Sequence, residues 1–224
     1  MRSKGETKTT NALLADAMTR QSHRSAIWAW GLSLVALAAA VKSGWLIGFD
    51  RGIMRAVGAH HGSVLDVIVR VVTFFGSTPC ALIVVILTGG WWWRTGARAT
   101  LRTFTVAGAA GLLIEIALRI SVSQWRPDVQ MLPVPLTLIT RAQLAGFPSG
   151  HAFRAAFLYG WWVDELRKRR TRLAAVLGMG CIALIFLVGL TRVYLQRHWF
   201  TDVVGGWVLA ETMLAFVAPP QRRA

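Results

Sequence analysis

Apolar residues fall into six blocks along the chain: 27–47, 63–90, 103–120, 149–166, 173–190 and 200–217. Each is long enough for a helix to cross a bilayer core of about 30 Å; residues 149–166 alone give about 27 Å at 1.5 Å per residue. The first block contains Ala38-Ala39-Ala40, which resembles a signal-peptidase site. Apolar sequence resumes at Trp45-Leu46-Ile47 and the leading segment is long, so an uncleaved helix is expected. Two segments between the blocks have their own character. In 49–62 the apolar Phe49, Ile53, Met54 and Val57 fit a short amphipathic helix lying at the interface, with His60 and His61 as loop residues. Residues 124–147 carry prolines at 127, 133 and 135, which argue against a helix crossing there. Inside the second block, Asp66 and Arg70 stand one turn apart and are expected to pair with each other.

Composition agrees with a membrane setting. Of 224 residues, 54% are hydrophobic and eleven are tryptophan, and the mean hydropathy is +0.49. A formal charge of +15 raises the question of nucleic acid. The basic residues, however, lie in short segments between apolar blocks: residues 1–25, then Arg94, Arg98 and Arg102 after Trp91-Trp92-Trp93, then 167–172 (RKRRTR), then the C-terminal tail. That is the positive-inside pattern, with no nucleic-acid role implied. The chain therefore reads as an all-α polytopic membrane protein with six transmembrane helices and cytoplasmic N- and C-termini. Residues 1–25 form an N-terminal segment with a short interfacial helix at 12–18, 26–218 the membrane domain and 219–224 a tail. Cys80 and Cys181 lie in apolar stretches and read as small buried hydrophobes.

This topology puts the loops 48–62, 121–148 and 191–199 on the outer side, and with them the polar residues a bilayer does not tolerate. Arg119 and Arg126 are seven apart, on one face of a helix if it continues, and need an anion; Glu115, one turn earlier, partly neutralises Arg119. Phe147-Pro148-Ser149-Gly150-His151 opens the fourth block. Ser149 is a candidate N-cap, Gly150 allows close approach to the backbone, and free amides at a helix N-terminus bind anions. His151 in the first turn is placed to exchange a proton. In 190–202 (LTRVYLQRHWFTD), Asp202 follows His198 by four residues, a spacing that lets a carboxylate orient an imidazole, and Arg192 adds a cation suited to phosphate. His151, His198 and Asp202 are a poor metal set, because three arginines beside them repel a cation. A phosphate fits every part.

These motifs resemble the type 2 phosphatidic acid phosphatase (PAP2) superfamily of lipid phosphatases and vanadium haloperoxidases. That family shows a basic residue, six positions, then Arg-Pro; next Pro-Ser-Gly-His; then Ser-Arg, five positions, His, three positions, Asp. Here stand Arg119 with Arg126-Pro127, Pro148-Ser149-Gly150-His151, and Thr191-Arg192 with His198 and Asp202, in that order. Arg119 replaces the usual lysine and Thr191 the usual serine, keeping the charge and the hydroxyl.

The resemblance implies a metal-independent, cofactor-free phosphatase. His198 attacks phosphorus, Asp202 fixes its tautomer and His151 protonates the leaving oxygen, while Arg119, Arg126, Arg192, Ser149 and Gly150 hold the phosphate. Arg154, one turn beyond His151, either grips a second phosphate, as a diphosphate substrate requires, or is a paired or snorkelling arginine. The expected substrate is a lipid phosphate of the bilayer: a polyprenyl diphosphate, phosphatidic acid or phosphatidylglycerol phosphate, with a lipid A phosphatase or phosphotransferase as the alternative within the family. The expected location is a bacterial inner membrane with the site facing outward. A transporter or a non-catalytic binding protein is the competing reading from another class.

Overall fold

A computed structural model describes residues 4–58, 62–129, 137 and 143–217, with side chains from residue 21 onward save 58 and 63. His60, His61, most of the proline-rich loop and the C-terminal tail lie outside them. Among the described residues there are eight α-helices and no strand. They are α1 (Lys4–Lys42), α2 (Ile47–Gly58), α3 (Ser63–Phe74), α4 (Thr78–Arg94), α5 (Arg98–Val122), α6 (Gly150–Arg167), α7 (Arg172–Tyr194) and α8 (Phe200–Val217), with one 3-10 turn at Pro127–Val129.

Among the described residues four helices are long and apolar enough to cross a membrane: α1 over Gln21–Lys42, α5, α7 and α8. The second apolar block is not one straight helix. It is α3 and α4, bent by 41° at Phe75-Gly76-Ser77, and counted together they make a fifth candidate span. The physical reason is in the sequence. Pro79 sits in the first turn of α4, and Ser77 is its N-cap, its hydroxyl accepting from the Cys80 amide at 3.4 Å. The first block, by contrast, is longer than expected at its N-terminal side: residues 4–25, including 12–18, continue into the span as one helix.

The remaining block, α6, fails on composition because it carries His151, Arg154, Asp164, Glu165 and Arg167. It is instead the axis of the bundle, packed most extensively against α7 and α8. Ala152, Phe153 and Ala155 are 0–1% exposed. Towards the C-terminal end of α6, Phe157 and Trp161 meet Phe104 of α5, with ring centroids 5.4 and 5.0 Å apart, and Trp92 joins Phe104 at 5.2 Å. Of the three consecutive tryptophans, Trp91 and Trp93 face outward while Trp92 belongs to this core.

The outer helices show the reverse pattern: Leu173, Val176, Met179 and Phe186 of α7 are half exposed or more, as apolar side chains facing lipid are. Neither cysteine forms a disulfide: Cys80 is buried as expected, whereas Cys181 is only partly buried. Asp66 finds a distant partner: the Tyr194 hydroxyl donates to its Oδ1 at 2.7 Å, tying α3 to the end of α7. That long-range bond is invisible to a reading limited to the next helical turn.

Candidate active site

The three polar motifs converge at one end of the bundle, and backbone groups stitch them together. The Gly146 amide donates to the Gln124 carbonyl at 2.6 Å, and Trp125 forms an isolated antiparallel bridge with Ala145. The Trp199 indole N–H donates to the Trp125 carbonyl at 2.8 Å. The Ser149 amide donates to the Asp202 carbonyl at 2.8 Å. Each bond sits beside a residue singled out from sequence, so Arg126, Ser149 and His198 are fixed relative to one another by main-chain groups and the Trp199 indole. Across the surface, Arg197 adds an ion pair to Asp128 at 2.7 Å.

His198 does not share a helix with Asp202. It lies in the tight connection between α7 and α8, where Gln196 adopts a left-handed φ of 54° and the Arg192 carbonyl accepts from the amides of Arg197 and His198 at 3.0 and 3.3 Å. The chain thus folds back over Arg192. Asp202, in the first turn of α8, then reaches back: its Oδ2 lies 3.3 Å from His198 Nδ1 and accepts from the Trp199 amide at 3.0 Å. A carboxylate only accepts, so the proton of His198 sits on Nδ1 and the lone pair of Nε2 is turned away from Asp202. Both side chains are almost fully buried. Burial first, and then the positive charges of Arg126, Arg192 and Arg119, hold the His198 imidazole well below its ordinary range. It is a neutral ring in a strongly cationic setting.

Donors surround it. Arg119 pairs with Glu115 at 2.7 Å and approaches the Pro148 carbonyl at 3.5 Å, which sets it against the start of α6. Arg192 donates from Nη1 to the Thr73 hydroxyl at 3.0 Å. Ser149 occupies the N-cap position of α6, yet its hydroxyl makes no capping bond. That departs from the expected cap. The hydroxyl is fully buried and has no partner, and the same holds for the Nε atoms of Arg126 and Arg192. Buried polar groups are normally satisfied. Three such donors beside a helix N-terminus are a donor set suited in charge and chemistry to an anion.

Glycine allows the crowding. A Cβ on Gly150 would meet Glu115 Oε1, Arg119 Nη2 and Arg154 Nη1, and one on Gly146 would strike the Asp202 carboxylate. Arg154 is placed beside this cradle, with its Nε donating to the Gly76 carbonyl at 3.2 Å and its Nη2 3.4 Å from His151 Nδ1. All nine residues singled out from the sequence are therefore gathered at this end. Those it passed over are Asp50, Thr73, Gly146 and Trp199, which act through contacts between distant segments and carry no motif of their own.

Residues 99–223, more than half of the chain, match the sequence profile of the PAP2 superfamily. The chain belongs to that superfamily. It is 29% identical over 152 residues to the undecaprenyl-diphosphatase BcrC of Bacillus subtilis (strain 168), covering 68% of this chain and 72% of that protein. Its fold is similar to the crystal structure of a transmembrane PAP2 type phosphatidylglycerolphosphate phosphatase from Bacillus subtilis. The TM-score is 0.72 at 23% identity, over 85% of this chain and 93% of that one.

Proposed function

We propose that this protein is a membrane lipid phosphatase that removes a phosphate from a phosphomonoester or diphosphate headgroup through a phosphohistidine. The observation that carries this reading is the set of orphaned buried donors around a neutral, carboxylate-backed His198. Nε2 of His198 attacks phosphorus, the P–O bond to the leaving group breaks, and His151 delivers a proton to the departing oxygen. A water then attacks the phosphohistidine with His151 taking its proton, and inorganic phosphate leaves. Asp202 holds the tautomer and balances the charge that builds on the His198 ring. Arg119, Arg126, Arg192, the Ser149 hydroxyl and the amides at Gly150 hold the non-bridging oxygens as charge redistributes. The residues supply the nucleophile, the acid and the charge stabilisation themselves, so the scheme needs no metal.

The preferred substrate is a polyprenyl diphosphate, supported by the likeness to an undecaprenyl-diphosphatase, with phosphatidic acid and phosphatidylglycerol phosphate as the monoester cases. In this reading the bent α3–α4 pair is one span and α6 the sixth, enclosed by the others and so free to carry charge. The termini and basic loops are cytoplasmic in a bacterial inner membrane, and the site faces outward.

The test is phosphate release by purified protein from a panel of lipid phosphates and diphosphates, in chelator and with vanadate as inhibitor. His198→Ala is expected to lower release by roughly 10³-fold or more. Full activity in that variant, or no release from any lipid by wild type, contradicts the proposal; the second outcome favours a binding or transport role.

A further inference from the structure

Asp50 has no part in the chemistry above, yet among the described residues it and Asp202 are the two carboxylates at 0% exposure. It sits on α2, the amphipathic helix, and turns both oxygens towards the first turn of α8. Its Oδ1 accepts from the Thr201 amide at 3.0 Å and its Oδ2 from the Thr201 hydroxyl at 2.6 Å. Thr201 is the immediate neighbour of Asp202.

The position explains the need. A helix that starts at Phe200 leaves its first amides without intrahelical acceptors. The residue just ahead, Trp199, has no side-chain oxygen to cap them. Asp202 supplies one half of a capping arrangement by reaching back to the Trp199 amide. The other half, an acceptor for the second amide of the helix, comes from Asp50, 151 residues away in the chain rather than next door.

The rest of α2 grips the same region. Phe49 packs edge-on against Phe200, with centroids 6.1 Å apart. Ile53, Met54 and Val57 rest on a cluster of Ala152, Val193 and Val203. These are the chain neighbours of His151, Arg192 and Asp202, so one amphipathic helix packs on a cluster drawn from two of the three motifs that build the proposed site.

We propose that Asp50 is a positioning residue: from α2 it completes the N-terminal cap of α8 and so fixes the Asp202–His198 pair for attack. This rests on the catalytic reading of the site. Its consequence is that the seating of a surface helix sets the turnover rate, while the phosphate cradle, built from other residues, sets substrate binding.

The experiment compares wild type, His198→Ala, Asp50→Ala, Asp50→Asn and Thr201→Val, reading kcat, KM and the thermal midpoint in one detergent with one lipid phosphate. Removing an N-cap acceptor loosens a helix start by enough to change an equilibrium on the order of tenfold. Asp50→Ala is accordingly expected to lower kcat about tenfold with KM unchanged. Asp50→Asn restores most of the loss, because the amide still accepts from the Thr201 N–H and donates to its hydroxyl. Thr201→Val, which loses one of the two bonds, falls between them and carries the test if Asp50→Ala does not fold. Wild-type kcat in both Asp50→Ala and Thr201→Val overturns the role of Asp50 alone. So does a loss that tracks the thermal midpoint with Asn no better than Ala. No phosphate release by wild type overturns the catalytic reading and this proposal together.

Discussion

Helices α6 and α7 are neighbours in sequence and packed on each other, yet their compositions are the reverse of their surroundings. α6 holds His151, Arg154, Asp164, Glu165 and Arg167 and has Ala152, Phe153 and Ala155 essentially sealed from the surface. α7 is apolar from Leu173 to Leu190 and leaves Leu173, Val176, Leu177 and Met179 exposed. In water the hydrophobic helix goes inside. In a bilayer the solvent is itself apolar, so hydropathy measures contact with lipid, and polarity marks the helix that other helices enclose. The difference teaches that the helix least suited to a membrane by composition is the one around which the bundle and the site are arranged.

The largest effect that sharpens this contrast is on stability. Phe153→Ala in α6 removes a ring that is 1% exposed and is expected to cost about 3–5 kcal/mol. Leu177→Ala in α7, at 49% exposure, should cost less than about 0.5 kcal/mol. Equal shifts in the midpoint of unfolding in detergent would break the comparison.

Glycines give the next contrast. Gly150→Ala pushes a methyl group among Glu115, Arg119 and Arg154, whereas Gly180 of α7 has nothing within 4 Å of the added Cβ. Displacing the cradle by a fraction of an ångström should lower kcat/KM by roughly 10²-fold, with Gly180→Ala at the wild-type value. A kinetic assay of the pair decides it.

The smallest effect concerns the connection that joins the buried and lipid-facing sides. In the proposed mechanism the attacking form of His198 is the free base. Because its pKa is held below the ordinary 6.5, the ring stays unprotonated as pH falls through that value. With the substrate's own ionisation subtracted, the acid limb of kcat/KM is expected below pH 6.5. A limb at or above 6.5 would mean that the ring is hydrated in the free protein.

Much of this was legible in the chain. Hydrophobic blocks marked the helices because each must present some twenty apolar residues to lipid, and Arg119, Arg126, His151, Arg192, His198 and Asp202 stood out because a bilayer tolerates them only for a reason. Glu115 was read correctly as the partner of Arg119 from helical spacing alone. What escaped notice depends on tertiary contact. Ser77 and Pro79 announce the break after α3, but a 28-residue apolar block at 63–90 outweighs them when hydropathy is the guide. Ser149 has the look of a cap, and only the packed structure leaves its hydroxyl unbonded. Asp50 looks like an ordinary surface carboxylate on an amphipathic helix until α8 is brought against it.

The break between α3 and α4 has a consequence for biogenesis. Its backbone carbonyls are answered from α6: Gly76 by Arg154, and Phe75 by the Tyr159 hydroxyl at 2.8 Å. Thr73, in the last turn of α3, meets Arg192 of α7. A ribosome delivers α3 and α4 to the membrane well before α6 and α7 have been synthesised. Until then the opened backbone has no protein partner and must borrow water or headgroups, since hydrocarbon offers none. The first half of the chain is thus inserted in an unfinished state, and its kink is completed only when the helix bearing His151 arrives.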